Sequence, residues 1–498
     1  MLLERLYDDD LAHASYLIGC QRTGEAIVVD PRRDVQVYLD LAAKHGMTIS
    51  AVTETHIHAD YLSGTRELAA RAGATMYVSR EGGPDWQYGP GFTDAVRVGH
   101  GDRISLGNVV LEAVHTPGHT PEHISFLVTD GAAATEPGYI LTGDFVFVGD
   151  VGRPDLLDEV AEGIETRFQG ARDLFESLRD RFLTLPDYVQ VLPAHGSGSA
   201  CGKALGAVAG STVGYERRFA WWAPFVDADD EQGFIDALLR DQPDAHAYFS
   251  RMKRQNRVGP SILGDLAPLA EYGASDLSAA LDADNVILID TRHHSLVHQG
   301  TVPGALNVPG EAKAASYAAW VYDPEVETSP LVVLAESRDA AARLRDHLAR
   351  VGIDRVDGFV VSLDGLRLER PKTIAPAHIG QAGSAVVLDV RNRAEYDAGH
   401  IPGATQLSGG RALWRAGELP RSGPILTYCQ SGTRNSVVAS ALRRSGHDVI
   451  EIEGSYNAWL ALHGSDARRA SYAVPMTATH REDLVATAGR TAVEADGS

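Results

Sequence analysis

Thr55-His-Ile-His-Ala-Asp-Tyr61 stands directly after the apolar run Ile49 to Val52. A short run of apolar, mostly branched residues predicts a strand, and imidazoles with a carboxylate at its end put metal-ligand chemistry where the chain leaves the sheet. Three further segments repeat the arrangement: Thr116-Pro-Gly-His119 after Val109 to Val114, Thr142-Gly-Asp144 after Tyr139 to Leu141, and Pro193-Ala-His195 after a fourth strand. In an α/β sandwich the C-terminal ends of such strands converge on one rim, so side chains far apart in sequence can meet at one ion.

Working outward, Ala14 to Ile18, Ala26 to Val29 and Ile124 to Val128 also read as strands. Val35 to His45, Leu62 to Ala72 and Ala171 to Leu183 carry helical periodicity, and Leu106-Gly-Asn-Val109 is a hairpin signal. The fold class is therefore α/β. A chain of 498 residues is long enough for two to four domains, each with its own core. With 44% hydrophobic and 22% charged residues and 50 glycines, the composition is that of a soluble α/β protein.

The net charge of -22 excludes nucleic acid or an anionic membrane as the main partner, since a polyanion would be repelled over most of the surface. The opening Met1-Leu-Leu-Glu-Arg-Leu-Tyr-Asp-Asp-Asp10 lacks a secretory pattern, and no run approaches the roughly 18 apolar residues of a membrane span. A cytoplasmic location is expected. Cys20, Cys201 and Cys429 are too few for a disulfide framework and read as reduced thiols.

The second half repeats itself. Leu288-Ile-Asp-Thr-Arg292 through Val302-Pro-Gly-Ala305 lies over Leu388-Asp-Val-Arg391 through Ile401-Pro-Gly-Ala404, with the Asp-to-Pro spacing the same in both. Each copy continues into a strand after a proline, Pro330-Leu-Val-Val-Leu334 and Pro424-Ile-Leu-Thr-Tyr428, then a helix and another strand, which predicts two parallel α/β domains. Where the second copy has Cys429 and Arg434, the first has Ala335 and Ala340. The expected boundaries are 1–262, ending in a polar bridging stretch that includes Asp241 to Pro260, then 263–369, 370–466 and a polar tail 467–498.

Cys429 opens the loop Cys429-Gln-Ser-Gly-Thr-Arg434 between an apolar strand and a helix expected over Asn435 to Arg444. Backbone N–H groups of Gln430, Ser431, Gly432 and Thr433, together with the helix N-terminus, present partial positive charge to the sulfur and favour a persulfide anion, with Arg434 closing the ring.

The four rim segments resemble the metallo-β-lactamase superfamily, whose usual first motif ends in a histidine where this chain has Tyr61. A phenol must lose its proton before it can ligate, so one metal is expected rather than two. The longer segments Glu54-Thr-His-Ile-His-Ala-Asp60, His115-Thr-Pro-Gly-His-Thr120 and Thr142 to Asp155 are similar to the persulfide dioxygenases. That resemblance implies an N-terminal αββα metallo-β-lactamase sandwich with one Fe(II) per chain held by His56, His119 and Asp144. It implies His58, Asp60, Tyr61 and His195 as groups that orient those ligands. Zinc held by His56, His58 and His119 is the alternative. Arg153 and Asp155 either border the substrate site or form a surface salt bridge. Cys201 either holds persulfide near the metal or is a structural thiol, while Cys20 is expected to pack.

Residues 370–466 resemble a rhodanese, on Asp389-Val-Arg391, Glu395-Tyr396, Gly399-His-Ile-Pro-Gly403 and the Cys429 to Arg434 loop. The resemblance implies two rhodanese-like parallel α/β domains, the first silent for want of nucleophile and arginine. The whole is similar to persulfide dioxygenase–rhodanese fusions. It implies a low-molecular-weight thiol persulfide, O2, sulfite and thiosulfate as reactants, and a homo-oligomer. Two rivals stand beside it: a zinc thioester hydrolase of the glyoxalase II kind with an accessory sulfurtransferase, and a non-catalytic carrier of sulfane sulfur.

Overall fold

Along the strand His13–Cys20 every second side chain, Ala14, Tyr16, Ile18 and Cys20, enters a core shared by two sheets, while Leu17 packs on helices behind. The period of two splits the strand between two apolar layers. The computed structural model describes residues 1–156, 166–203, 205–310 and 312–464, and the expected tail 467–498 lies outside them.

The first sheet runs in sequence order through β1 (Leu2–Asp8), β2 (His13–Cys20), β3 (Glu25–Val29), β4 (Thr48–Thr53), β5 (Thr75–Ser79) and β6 (Val96–Val98), parallel from β3 onward. The second holds β7 (Arg103–Leu106), β8 (Val109–His115), β9 (Ile124–Asp130), β10 (Tyr139–Gly143), β11 (Gln190–Pro193) and β12 (Ser211–Thr212) in reverse order, with β10 and β11 parallel. Their inner faces meet through Ile27, Val29, Leu111, Phe126 and Leu141. Helices Gln36–Lys44 and Thr65–Ala72 cover one outer face, and Thr166–Ser177 covers the other. This is an αββα sandwich.

Both remaining sheets are parallel and share one topology. The third pairs β13 (Ala270–Glu271), β14 (Ile287–Asp290), β15 (Leu306–Asn307), β16 (Leu331–Leu334) and β17 (Val356–Val360) in the order β13-β17-β16-β14-β15. The fourth uses β18 (Lys372–Ile374), β19 (Val386–Asp389), β20 (Thr405–Gln406), β21 (Ile425–Tyr428) and β22 (Val449–Ile452) in the order β18-β22-β21-β19-β20. The sequence repeat is thus a structural one, down to a shared clamp. Arg292 pairs with Asp290 at 2.7 Å and donates to Gly300 O at 2.7 Å, and Arg391 pairs with Asp389 at 2.6 Å and donates to Gly399 O at 2.7 Å.

The expectation of a polar bridge over 241–260 is corrected. Phe249–Val258 is a helix; its Phe249 and Met252 are buried in the core shared by the three parts, and its Asn256 is buried against the loop after β4. Its charged residues hide the pattern, because Arg251 is buried too, with Asp323 3.7 Å away and Val351 O accepting at 3.0 Å. The helix expected from Leu62 starts at Thr65. The one expected over Ala171 to Leu183 is described over Thr166–Ser177 and closes in a wider turn, Leu178–Phe182.

One apolar core runs through all three parts, from Tyr61, Tyr248 and Met252 through Ile289, Ala318 and Leu344 to Val437 and Ala441. Buried charge follows the same seam: Arg350 pairs with Asp8 and, at 2.8 Å, with Asp34, and Arg33 reaches Asp354 at 2.5 Å. The helix Thr433–Arg444 is buried from Asn435 to Leu442, and its Ser436 and Ser440 hydroxyls bond Asn307 of the preceding repeat at 2.6 and 3.0 Å. Among the described residues no helix is long and apolar enough to cross a membrane.

Candidate active sites

β4 ends at Thr53, and the loop that follows is held by acids sequence reasoning missed. Asp30, just past β3, accepts from Thr55 N at 2.7 Å and lies 3.2 Å from His58 Nε2; Glu122 accepts from Ile57 N at 2.8 Å. A carboxylate at the end of a strand, Val28-Val-Asp30, is the signal that could have found the first. Gly143 has φ +51, and a side chain there would strike Thr55 Oγ1 at 2.5 Å, so the turn into Asp144 needs glycine.

His56, His119 and Asp144 come together: one donor atom from each lies within 4.8 Å of the others, and all three residues are buried. Asp144 Oδ2 is 3.9 Å from His56 Nε2 and 3.6 Å from His119 Nε2, too long for hydrogen bonds and wide enough to share an ion. Both rings are aimed by their other nitrogen. His119 Nδ1 donates to Arg153 O at 3.0 Å. Thr55 Oγ1 donates to Asp30, leaving its lone pair to accept from His56 Nδ1 at 3.0 Å. Each Nε2 is then a bare lone pair facing Asp144.

Burial and the neighbouring imidazoles hold His56 well below the usual histidine range, and burial takes His119 down to about 3. Burial lifts Asp144 to about 6. Neutral imidazoles beside a carboxylate whose charge lacks a hydrogen-bonded counter-ion fit a divalent cation, and two nitrogens with one oxygen on one side fit the set used by non-haem iron sites. His58 is different. Burial pulls it down, but its Asp30 partner outweighs that and raises it to about 9; Asp30 engages its Nε2, and its Nδ1 has no hydrogen-bond partner. Tyr61 donates to Asp30 O at 3.3 Å, its ring lying between those of His13 and His58.

Beside this cluster lies a second. Asp60, His195 and Cys201 each offer an atom within 4.8 Å of the others, all buried. His195 Nδ1 donates to Ala12 O at 3.0 Å, and its Nε2, without a hydrogen-bond partner, is 3.4 Å from Asp60 and 3.5 Å from Asp144. Burial and the two carboxylates push the Cys201 thiol well above its usual range. The reading of Arg153 and Asp155 as a surface salt bridge is corrected, since Arg153 is 1% exposed. It pairs with Asp155, donates to Ala200 O at 3.1 Å and so ties the His119 support to the Cys201 loop. Cys20 packs in the inter-sheet core and accepts from Asn108 N at 3.4 Å.

In the third part, Cys429 follows β21 directly and is buried; Gly432 N donates to its sulfur at 3.1 Å. Gln430 accepts from Arg391 at 3.1 Å, anchoring the loop to the Asp389 clamp. Ser431 and Thr433 flank Gly432, whose φ is +119 and whose Cα would carry any side chain into His294 of the preceding repeat, 2.7 Å away. Arg434 is held by a two-pronged pair with Glu395, at 2.7 Å on both arms. At the matching place in the first repeat, Ser337 caps a helix by accepting from Ala340 N, and no thiol or guanidinium stands at Ala335 or Ala340.

The metallo-beta-lactamase superfamily model matches residues 8–195 and the rhodanese-like domain model residues 375–462. Mitochondrial persulfide dioxygenase ETHE1 of Mus musculus is 29% identical over 161 residues, 31% of this chain and 56% of the relative. A hydroxyacylglutathione hydrolase of Xanthomonas euvesicatoria pv. vesicatoria (strain 85-10) is 36% identical over 135 residues, 26% of this chain and 45% of the relative. The chain thus spans only about half the length of these curated relatives. The crystal structure of a metallo-beta-lactamase from Staphylococcus aureus subsp. aureus COL is 36% identical with a TM-score of 0.62, covering 72% of this chain and 98% of its own. With a matching fold over nearly the whole of that structure and both domain patterns in place, the chain belongs to the metallo-β-lactamase superfamily, as a fusion carrying a rhodanese-like domain at its C-terminal side.

Proposed function

We propose that this chain oxidises a low-molecular-weight thiol persulfide to sulfite at one Fe(II) held by His56, His119 and Asp144, and passes sulfane sulfur through Cys429 to form or use thiosulfate. The observation that carries the reading is the convergence of two bare imidazole nitrogens and one carboxylate oxygen at a buried point. Similarity to persulfide dioxygenases and the rhodanese-like match support it.

Bound there, ferrous iron would supply the electron-transfer chemistry with O2 that side chains lack. The chain's own residues do the rest. Arg153 O and Thr55 Oγ1 keep both ligand rings turned with Nε2 inward, and the buried setting keeps bulk water from competing. In the net reaction R–S–SH, O2 and water give R–SH, sulfite and two protons; the terminal sulfur loses four electrons to O2. His195 Nε2, anchored by its Nδ1–H on Ala12 O, is the nearby base for a proton of that water. At the second site, Cys429 carries sulfane sulfur with Gly432 N against it, and the Arg434–Glu395 pair fixes the far side of the ring.

A second reading has its own support: the Asp60, His195 and Cys201 set beside Asp144 could complete a two-zinc thioester hydrolase, in line with the hydrolase relative. Metal analysis after anaerobic purification and an oxygen electrode separate the readings. One iron per chain and O2 uptake with glutathione persulfide are expected, with uptake abolished and thiosulfate:cyanide transfer intact in His56→Ala. Two zincs and no O2 uptake overturn the proposal in favour of the hydrolase; a carrier of sulfane sulfur alone would likewise take up no O2.

A further inference from the structure

A cleft of about 510 Å3 lies where the three parts meet. One end is walled by Asp60, Ala200 and Gly202, the latter two flanking Cys201, and the other by Asn392 and Arg434 of the rhodanese-like domain. Between the ends runs a strip of rings. His246 is 5.8 Å from Tyr248 and 5.4 Å from Trp320, and Trp320 is 5.2 Å from Tyr317, centre to centre. Tyr248, Tyr317 and Trp320 share the cleft wall with Asp60 and with Arg434, so the strip lies between residues of both sites.

The wall suits a small guest rich in acceptors. Trp320 Nε1 and Ser408 Oγ, on side chains more than nine-tenths buried, have no hydrogen-bond partner, and neither has His246 Nδ1. Two wall acids already have donors: Asp10 accepts from Ala315 N at 2.7 Å and from Ser316 at 3.0 Å, and Asp244 accepts from Gln406 at 3.1 Å. Asp60 on the same wall has no donor at Oδ2, so the groups that would receive an oxyanion are the unpaired Trp320 Nε1–H and Ser408 O–H, with the Arg434 guanidinium at the rhodanese-like end.

We infer that this cleft is the passage by which sulfite formed at the His56, His119 and Asp144 cluster reaches the persulfide of Cys429, an inference that rests on the function proposed above. In the transfer, the sulfur lone pair of sulfite attacks the outer sulfur of Cys429–S–SH, forming the S–S bond of thiosulfate. The Cys429–sulfane bond breaks, its electron pair stays on the cysteine sulfur, and that sulfur takes up the proton released from the outer sulfur. The first repeat thereby gains a role without a nucleophile: Tyr317 and Trp320 build the middle of the passage.

One molecule confined to 510 Å3 is at about 3 M, far above any sulfite added at millimolar concentration outside. The full-length iron-loaded protein is turned over with unlabelled glutathione persulfide in excess sulfite carrying a heavy sulfur isotope, and the sulfonate sulfur of thiosulfate is read by mass spectrometry. Label at least roughly tenfold below the bulk fraction is expected. Ala394→Trp, at an exposed wall position beside the rhodanese-like end, should keep O2 uptake and raise free sulfite relative to thiosulfate. O2 uptake with label equal to the bulk fraction overturns the passage and leaves the dioxygenase standing, as does an Ala394→Trp product ratio identical to the parent's. Absence of O2 uptake removes both.

Discussion

Asn256 offers a sharp test of how the metal loop is held. Its Nδ2 donates to His58 O at 2.8 Å and to Tyr61 O at 2.7 Å, and its Oδ1 accepts from Ser63 N at 2.9 Å, all at a fully buried position. Asn256→Leu keeps the number and branching of side-chain heavy atoms and removes every polar one: two carbonyls and one N–H lose partners where water does not reach. At about 1 kcal/mol for each bond, the loss is about 3 kcal/mol. For a domain of this size about 2–4 °C is lost per kcal/mol, so the first thermal transition should fall by about 6–12 °C. The same change frees the backbone at His58 and Tyr61, on the loop that carries His56, so bound metal should also be lost faster on dialysis. Asn256→Asp keeps the acceptor for Ser63 N but turns a carboxylate on two carbonyls and should be at least as damaging. Scanning calorimetry and metal analysis read both effects. An Asn256→Leu protein melting within about 2 °C of the parent and holding its metal equally well would refute the claim that this helix braces the site.

Three further outcomes are expected. Arg350→Met leaves Asp8 buried and Asp34 half-buried with Arg32 as their remaining cationic partner, should cost about 3 kcal/mol, and should separate the calorimetric transitions of the first and second parts; superimposable scans count against it. Burial raises Glu395, but the Arg434 guanidinium bonded to it outweighs that and holds its carboxyl below the usual range. The stability from this pair is therefore complete above the ordinary carboxylate value of about 4.3 and disappears as pH falls through Glu395's own lower value. The urea midpoint of Glu395→Gln should trail the parent at pH 7 and converge with it in acid, and a gap that persists below both values contradicts the pairing. Full-length Cys429→Ser should show no thiosulfate:cyanide turnover, and any residue above background would mean that the Ala335 repeat is not silent.

The rim residues were legible because each sits in a short polar segment right after an apolar strand, and strand ends in this class of sandwich share a face. That placed the four segments on one rim, while the choice of His56, His119 and Asp144 among their residues came from the family resemblance; the duplicated Asp-to-Pro spacing made the two parallel sheets readable. The supports were not legible. Asp30, Glu122 and Asn256 act through hydrogen bonds that span 25, 65 and 198 residues of chain, and a lone Asp, Glu or Asn has no periodic signature. The Phe249–Val258 helix was misread because Arg251 and Asn256 are buried with its apolar residues, so the polarity that normally marks the solvent side marks the packed side here. Cys201 reaches the Asp60 and His195 set from an irregular loop, where neither helical nor strand periodicity predicts direction.

The helix that starts at the Cys429 loop has no solvent side over most of its length, and two of its serines are answered by Asn307 of the neighbouring repeat. A fragment cut at the apparent joint near residue 370 would bare Val437 and Ala441 together with two stranded hydroxyls. The rhodanese-like unit is thus not a detachable cassette. The repeat before it is free to vary at the loop that holds Ala335 and Ala340, yet is bound to keep the asparagine and the apolar floor on which the Cys429 copy leans.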